Sequence, residues 1–500
     1  MPGGTAAHVA IVGGGIAGLA AAFFLRDAPV RVTVFEGSPR IGGKLAVSDV
    51  AGIPVDEGAE SMLARRPEGV DLVRAVGLAG DLVGPGTTAA AIWTRGAMRP
   101  LPGGQVMGVP GDLAALARSG VLSVAGLARA GLDLVLPATG MDGDGSVAAR
   151  VGSRLGAEVV DRLVEPLLGG VYAGRAAELS FEATLPGLAA ATRVHRTLTG
   201  AARSVAAASA HRPAGPSPGA HRAGPGSQVF TTLAGGLGAL PAAVAAASGA
   251  HVRTGASVRE LRRTAAGWQL TVGSADDPEY VRADAVVLAL PARPASRLLR
   301  AEVPAAAAAL GGIEYASMAI VTLAFPAGAI KARPRGSGYL VPAGDGRAVK
   351  AVTFASVKWP HLLARRGTAD TARAGGAGPV TDVVRCSVGR IGEEQVLQRA
   401  DEDLVALARG ELAAAVGAAS PTVAARVTRW GGALPQYTVG HTARVGRIRA
   451  AVADQPGLAV CGAAYDGLGI PACIATARQA AAQVLAHLAR GDLPRADEGQ

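Results

Sequence analysis

Lysine is almost absent from this chain: Lys44, Lys331, Lys350 and Lys358 stand against 45 arginines, within a Lys+Arg total of 49. Aromatic residues make up only 3%. A nucleic-acid interface gathers positive charge into a run or face with aromatics between. Here the arginines are scattered singly, so the net charge of +10 does not point to nucleic acid. It leaves an acidic substrate or an anionic surface open. Cysteine is scarce too. Cys386, Cys461 and Cys473 form no CxxC and cannot all pair with one another, which excludes a disulfide framework and a metal cluster and suits a reducing cytosol. Long apolar runs are missing: the best candidate, residues 120–136, is interrupted by Arg129 and Asp133, so no transmembrane span is expected and membrane contact is at most peripheral. The opening MPGGTAAHVAIVGGG lacks a basic region followed by a cleavable apolar stretch. No signal peptide is expected, and the chain reads as cytoplasmic.

What is present is a globular chain. Five hundred residues, 49% hydrophobic and 18% charged, build a sizeable core, and the length suggests two or three domains. The 70 glycines are roughly twice average usage but show no collagen period. Residues 8–12 (HVAIV) read as a strand, GLAAAFFLRDA as a helix and residues 30–36 (VRVTVFE) as a second strand, making a βαβ unit. Residues 60–82 alternate in helical fashion, 92–101 resemble a hairpin with Gly96 in its turn, and 110–190 are mostly helical. Residues 200–228, rich in Ala, Pro, Gly and Ser, read as a low-complexity loop, and 366–379 as a second long loop. A helix at 237–247, strands at 251–259, 267–273 and 284–290, an antiparallel sheet over 311–360 and 381–390, and a helix at 401–416 follow. A strand at 458–461 leads into a helix at 474–488.

The βαβ unit carries Gly13-Gly14-Gly15-Ile16-Ala17-Gly18, a GxGxxG with its glycines at 13, 15 and 18. Gly13 permits a tight turn, Gly15 lets the backbone approach a pyrophosphate, and Gly18 allows helix and strand to pack closely. The helix N-terminus then offers free N–H groups to phosphate. Glu36 ends the second strand, 18 residues beyond Gly18, where a carboxylate can accept hydrogen bonds from ribose hydroxyls. This is a dinucleotide site.

From Glu36 the chain continues Gly37-Ser-Pro-Arg40-Ile-Gly42-Gly43-Lys44, then Asp56-Glu57-Gly58-Ala59-Glu60-Ser61. The first segment resembles the flavoprotein superfamily of amine oxidases, phytoene desaturases and protoporphyrinogen oxidases, and so implies FAD. In that superfamily the arginine and glycines lie along the pyrophosphate, and the D-x-G segment passes near the flavin. An arginine fork and paired glycines suit phosphate physically as well. Far downstream, LAVCGAAYDGLGIPAC places Gly462, Gly467, Leu468, Gly469 and Ile470 before a second helix N-terminus, where backbone amides could stabilise negative charge on reduced flavin. Val258 resembles the family residue that contacts adenine, and residues 284–291 (DAVVLALP) the family strand.

Several segments are similar to the porphyrinogen-oxidising branch: Glu165-Pro-Leu-Leu-Gly169-Gly170-Val-Tyr172-Ala-Gly174, Gly338 to Pro342, Lys358-Trp359-Pro360-His361, and Trp430 with Leu434-Pro435-Gln436-Tyr437 and Gly440-His441. The chain most resembles the soluble coproporphyrinogen III-oxidising members of Gram-positive bacteria. That resemblance implies an α/β fold: a discontinuous Rossmann-like FAD domain (1–86, 226–295 and 422–500), a helical domain (87–199), the loop at 200–225 and a mixed-sheet substrate domain (296–421). It implies a porphyrinogen substrate, molecular oxygen as acceptor and hand-over of product to a ferrochelatase. Backbone around Gly170 and Gly174 would polarise a pyrrole N–H, with Tyr172 beside the substrate. One departure concerns propionate anchoring: where mitochondrial and plant members place an arginine before the hairpin, this chain has Ala90 and Ala91, which leaves Arg65 and Arg66 either as anchors or as a solvated face. His195, His211 and His221 have no ligand spacing, and no metal site is expected. A flavin amine oxidase, a carotenoid desaturase and a non-catalytic flavin-binding protein are the alternatives.

Overall fold

Five short apolar runs, drawn from distant parts of the chain, pair into one parallel sheet. Its order is His251–Arg253, Val30–Phe35, Ala7–Val12, Ala285–Leu288, Leu458–Val460. The computed structural model behind this description covers residues 6–138, 143–210, 229–326, 328–330, 336–364, 380–417 and 420–491. Val9, Ala10 and Ile11 are fully buried, because helices cover both faces of the sheet. One cover is the helix Ile16–Leu25, packed between the sheet and the helices Ala239–Ser248 and Ile470–Ala489. That position explains why IAGLAAAFFL is apolar on nearly every side rather than amphipathic. Burying Leu19 and Leu25 completely contributes about 1.5–3 kcal/mol each. The opposite face is covered by the helices Ala292–Leu299, Pro304–Gly311 and His441–Ala453.

A seven-stranded sheet forms the second layer. Its order is Ala424–Pro435, Tyr315–Pro326, Val380–Val388, Val349–Phe354, Gly338–Leu340, Ala91–Thr94, Ala97–Pro100. All pairs are antiparallel except Gly338–Leu340 with Ala91–Thr94. The helix Asp401–Val416 closes one face through Leu404, Ala408, Leu412 and Val416, spaced one helical turn apart. Two pairings cut across the expected domain limits. The hairpin of residues 91–100 joins this sheet rather than the helices that follow it, and the strand Ala424–Pro435 is its edge rather than part of the parallel sheet.

Residues 113–138 and 143–210 make a helical layer around Leu163, Leu168, Leu179 and Leu188. Its buried ion pair, Arg154–Asp133 at 2.7 Å, is fully supported: Asp133 also accepts from the backbone N–H groups of Leu198 and Thr199. Those bonds start the helix Leu198–Ala210, which occupies the first part of the expected loop at 200–228. Composition misled there, since the alanines of GAARSVAAASA are strong helix formers. Residues 211–228, including His211 and His221, lie outside the described residues, as does the expected loop at 366–379. Within 60–82 only Pro67–Ala75 is α-helical, flanked by the short strands Met62–Leu63 and Leu82–Val83. The last helix starts at Ile470 rather than 474, because Pro471 fits the first helical turn, where its missing N–H costs nothing. No helix among the described residues is long and apolar enough to cross a membrane.

Candidate functional site

The glycine turn after the first strand is built by close contacts. Gly13 has φ +110°, and a Cβ there would meet the Ala289 carbonyl oxygen at 2.5 Å. A Cβ on Gly18 would lie 1.9 Å from the Gly13 oxygen, so only glycine lets the helix Ile16–Leu25 approach its strand. Gly15 differs. Nothing lies within 4 Å of where its Cβ would be, and as N-cap it makes no side-chain cap bond. The open side of Gly15 thus lies at the N-terminus of that helix, where its first N–H groups have no intrahelical partner and the dipole is positive.

The following segment folds back over this opening. Gly42 donates its N–H to the Gly14 oxygen at 2.8 Å, and Gly42 bridges to Gly15. A Cβ on Gly43 would sit 3.5 Å from the Gly15 Cα. Arg40 is exposed, with Nη2 donating to the Gly43 oxygen at 2.9 Å, and Lys44 is half-buried, burial holding its ammonium below the usual lysine range. The Glu36 carboxylate is oriented by two backbone donors, Gly14 N–H at 2.7 Å and Ser38 N–H at 2.8 Å. Gly37 is pressed against Ser257, and Ala256 donates its N–H to the Glu36 oxygen, which brings Val258 to the same end of the sheet.

A second helix start meets the first. A Cβ on Gly462 would be 3.8 Å from the Ala17 Cβ, and Gly469 caps the C-terminal helix without a side-chain bond. Gly467, at φ +140°, donates its N–H to the Tyr437 hydroxyl at 2.9 Å, and Leu468 and Ile470 continue the turn. Gly58, Ala59, Glu60 and Ser61 run alongside Lys44: Ala59 donates its N–H to the Lys44 oxygen at 3.3 Å, and a Cβ on Gly58 would lie 2.2 Å from that oxygen. Trp430 seals this segment from the seven-stranded sheet, its Nε1 donating to the Glu57 oxygen at 2.9 Å. The Glu60 carboxylate is taken up by Lys358 and Arg385, and only its backbone remains available to a cofactor.

The arrangement fits a dinucleotide. Two uncapped helix N-termini, an open glycine cradle at Gly15 and Gly43, and a carboxylate at the strand end supply donors for a diphosphate and an acceptor for a ribose. Among the described residues no group of three His, Cys, Asp or Glu side chains could hold a metal ion.

The Gly170–Gly174 corner is tied to this cradle. After the helix Glu165–Tyr172, Ala173 adopts φ +52°, and Gly174 packs so closely that a Cβ would lie 2.1 Å from the Gln436 Oε1. Gln436 Nε2 donates to the Tyr172 oxygen at 2.7 Å. Neighbouring Tyr437 contacts the Tyr172 ring at 5.5 Å between centroids, stacks on His441 at 3.9 Å, and donates from its hydroxyl to the Ala463 oxygen at 2.6 Å. Tyr172 itself is buried, which pushes its phenol up to about 12, while Gly170 is exposed against Leu340. His441 is a packed, stacked group whose Nε2 lies 3.0 Å from the Tyr465 oxygen. Gln436 and Tyr437 were visible in sequence only as parts of a motif, and Arg385 not at all. An arginine inside the apolar strand VTDVVRCSV was its signal.

Arg65 and Arg66 precede the helix Pro67–Ala75, whose Gly69 sits against Pro471 of the second helix start. Arg66 pairs with Glu68 at 2.7 Å. Arg65 is exposed and has no ion pair among the described residues.

Fold and cradle together define a dinucleotide-binding oxidoreductase of the flavoprotein type. The sequence model of the flavin-containing amine oxidoreductases matches residues 16–485, and the chain belongs to that family. It is 37% identical over 484 residues to the coproporphyrinogen III oxidase of Mycobacterium tuberculosis (96% of this chain, 97% of the relative). With the coproporphyrinogen III oxidase of Bacillus subtilis it shares 31% over 489 residues (96% and 98%). A solved structure from Exiguobacterium sp. 255-15, whose protoporphyrinogen oxidase designation is provisional, superimposes with a TM-score of 0.79 at 28% identity (96% and 99%).

Proposed function

We propose that this protein is an FAD- and oxygen-dependent oxidase that converts coproporphyrinogen III to coproporphyrin III, a step in haem biosynthesis. Three rounds of two-electron oxidation remove six electrons, and three O2 become three H2O2, which balances the reaction. FAD, when bound, accepts two electrons in each round and passes them to oxygen. The observation that carries the reading is convergence. The corner Gly170–Gly174, which resembles the porphyrinogen-oxidising branch, is locked through Gln436 and Tyr437 onto Gly467 of the cofactor turn. The full-length likeness to two coproporphyrinogen III oxidases supports the same substrate.

In this reading Gly13 to Gly18, Gly37, Arg40, Gly42, Gly43 and Lys44 hold the diphosphate side of FAD, Glu36 the ribose and Val258 the adenine. Gly58 to Ser61, Trp430, Gly462 and Leu468 to Ile470 lie along the rest of it. Backbone at Gly170 and Gly174 orients the macrocycle and polarises its pyrrole N–H groups, while Tyr172, buried, keeps that corner rigid. Arg65 and Arg66, just before the helix that packs on the second helix start, supply basic groups for the four propionates. The remaining expectations are kept as part of this proposal: a cytoplasmic enzyme, divided into FAD, helical and substrate-sheet parts, that hands its product to a ferrochelatase.

Protoporphyrinogen IX is the second reading, suggested by the provisional designation of the solved structure from Exiguobacterium. Anaerobic mixing of the yellow protein with each porphyrinogen separates the two. Rapid flavin bleaching by coproporphyrinogen III, followed by porphyrin fluorescence on admitting air, is expected. Faster bleaching by protoporphyrinogen IX would reverse the preference, and bleaching by neither would sink the porphyrinogen reading.

A further inference from the structure

Four of the ionisable side chains nearest the Gly58–Ser61 segment come from parts of the chain about 300 residues apart. Glu60 bonds Lys358 Nζ through Oε1 at 2.6 Å and Arg385 Nη1 through Oε2. Arg385 Nη2 also donates to the Gly58 oxygen at 2.8 Å. The three side chains are 7–17% exposed, so water screens them poorly. Burial alone would raise the Glu60 pKa, but the two cations beside it hold its carboxyl at about 2. Lys358 also lies 5.5 Å from the Phe230 ring centroid and 5.2 Å from that of Trp359. Asp56 completes the group; burial pushes its carboxyl up to about 7. Glu57 is taken by Arg426, and Asp382, an odd number of residues from Arg385 on the same strand, faces the other side of the sheet.

Counting charges, one carboxylate and two cations leave a surplus of one positive charge below neutral pH. A small cavity adjoins the cluster, lined by Asp56, Glu60, Thr232, Trp359, His361 and Arg385. Thr232 Oγ1, Trp359 Nε1 and Arg385 Nε, all buried, have no hydrogen-bond partner in the structure. The space is about 10 Å³, enough for one water molecule, which three unpaired polar atoms would hold.

We propose that the Glu60–Lys358–Arg385 cluster is an electrostatic element that favours the two-electron-reduced, anionic state of the flavin while positioning Gly58–Ser61 along it. This rests on the flavin reading above. Oxidised flavin is neutral; two electrons and one proton give an anion, so one negative charge is gained. A fixed positive charge at low dielectric stabilises that gain, and the rigid ion pairs need no reorganisation when it arrives.

The test is the midpoint potential of the holoprotein at pH 6.5, where Asp56 is largely neutral, by anaerobic dye equilibration without porphyrinogen. Lys358→Met removes the surplus charge and should shift the oxidised–reduced equilibrium at least tenfold toward oxidised flavin, about 30 mV for a two-electron couple. Glu60→Gln leaves two cations and should shift it the opposite way, while Lys358→Arg should match the wild type. Loosened packing would move the first two variants in the same direction, so opposite signs identify the charge effect. Same-sign shifts, or none, would overturn the proposal; if Glu60→Gln does not fold, the Lys358 pair decides, since a shift in Lys358→Met with none in Lys358→Arg supports the charge effect and equal shifts in both, or none in either, overturn it. A wild-type chain that retains no flavin overturns the cofactor reading and this proposal together. Flavin that is bound but not bleached by porphyrinogens removes the substrate reading alone.

Discussion

Gly174 and Arg65 show how single residues divide between packing and recognition. An added methyl at Gly174 would sit 2.1 Å from Gln436 Oε1 and displace the amide that holds the Tyr172 and Leu434 oxygens. Gly174→Ala should therefore lower stability by about 1–3 kcal/mol and cut turnover at least tenfold, with the bound-flavin spectrum unchanged. Steady-state assays beside a visible spectrum check this, and normal turnover would remove Gly174 from the proposed machinery. Arg66 is already paired with Glu68, whereas Arg65 is exposed and unpaired among the described residues. Arg65→Ala should raise KM for the four-carboxylate substrate severalfold at unchanged kcat, and Arg66→Ala should leave it within about twofold. Equal effects would return both to a solvated face. The glycine turn was legible in sequence because a tight turn at Gly13 and close helix packing at Gly18 each demand the absence of Cβ at a fixed spacing. The carboxylate of Glu60 was not, because its partners Lys358 and Arg385 lie 298 and 325 residues away.

At the scale of elements, alternation and punctuation recovered strands such as Val30–Phe35 and Gly267–Gly273 but not Val47–Val50, Pro278–Ala283 or Ala424–Pro435, and composition misjudged the helix Leu198–Ala210. A run of Ala, Ser and Arg satisfies both a low-complexity filter and a helix propensity scale, and Asp133, 65 residues upstream, decides by accepting the N–H of Leu198. The strand Val349–Phe354 holds a feature that alternation could not reveal. Its register shifts between Val349 and Ala351, so Lys350 is the extra residue of a bulge and is only 3% exposed. Burial first, then the Arg390 charge, push its ammonium down to about 7 from an ordinary 10.5, against a smaller opposite pull from Glu393, which pairs with Arg390. Below pH 7 the folded chain bears the full cost of a desolvated ammonium. From about 7 to 10.5 the folded state has lost that proton while the unfolded state keeps it, so the cost shrinks as pH rises. Lys350→Met should then stabilise the protein by roughly 2 kcal/mol near pH 6.5, with the lead fading toward pH 10. Denaturant curves at pH 6.5 and 9.5 measure it; a lead that grows with pH would contradict the buried-ammonium account.

Across the whole molecule, the cradle is assembled from segments that no local fragment contains. Gly13 to Gly18 lie beside Gly462, and Gly58 is clasped between Lys44 and Trp430 of the seven-stranded sheet. A ligand seated there touches both layers at once, so its binding energy is shared by them rather than confined to the parallel sheet. Stripping flavin should thus weaken both layers together. With free FAD at about 100 times its Kd, the holoprotein gains about 2.7 kcal/mol over the apoprotein. For a cooperative chain of this length, whose unfolding entropy scales with residue number, that is a Tm rise of about 2–3 °C. Calorimetry of apo and reconstituted protein at one scan rate should show a single transition that moves as a whole. Two transitions, with only one responding to FAD, would mean that the cation cluster of Lys358 and Arg385 does not couple the seven-stranded sheet to the cofactor segment. The same result would leave the flavin potential insensitive to Lys358, since a charge held on an independently moving layer cannot stay fixed beside the cofactor.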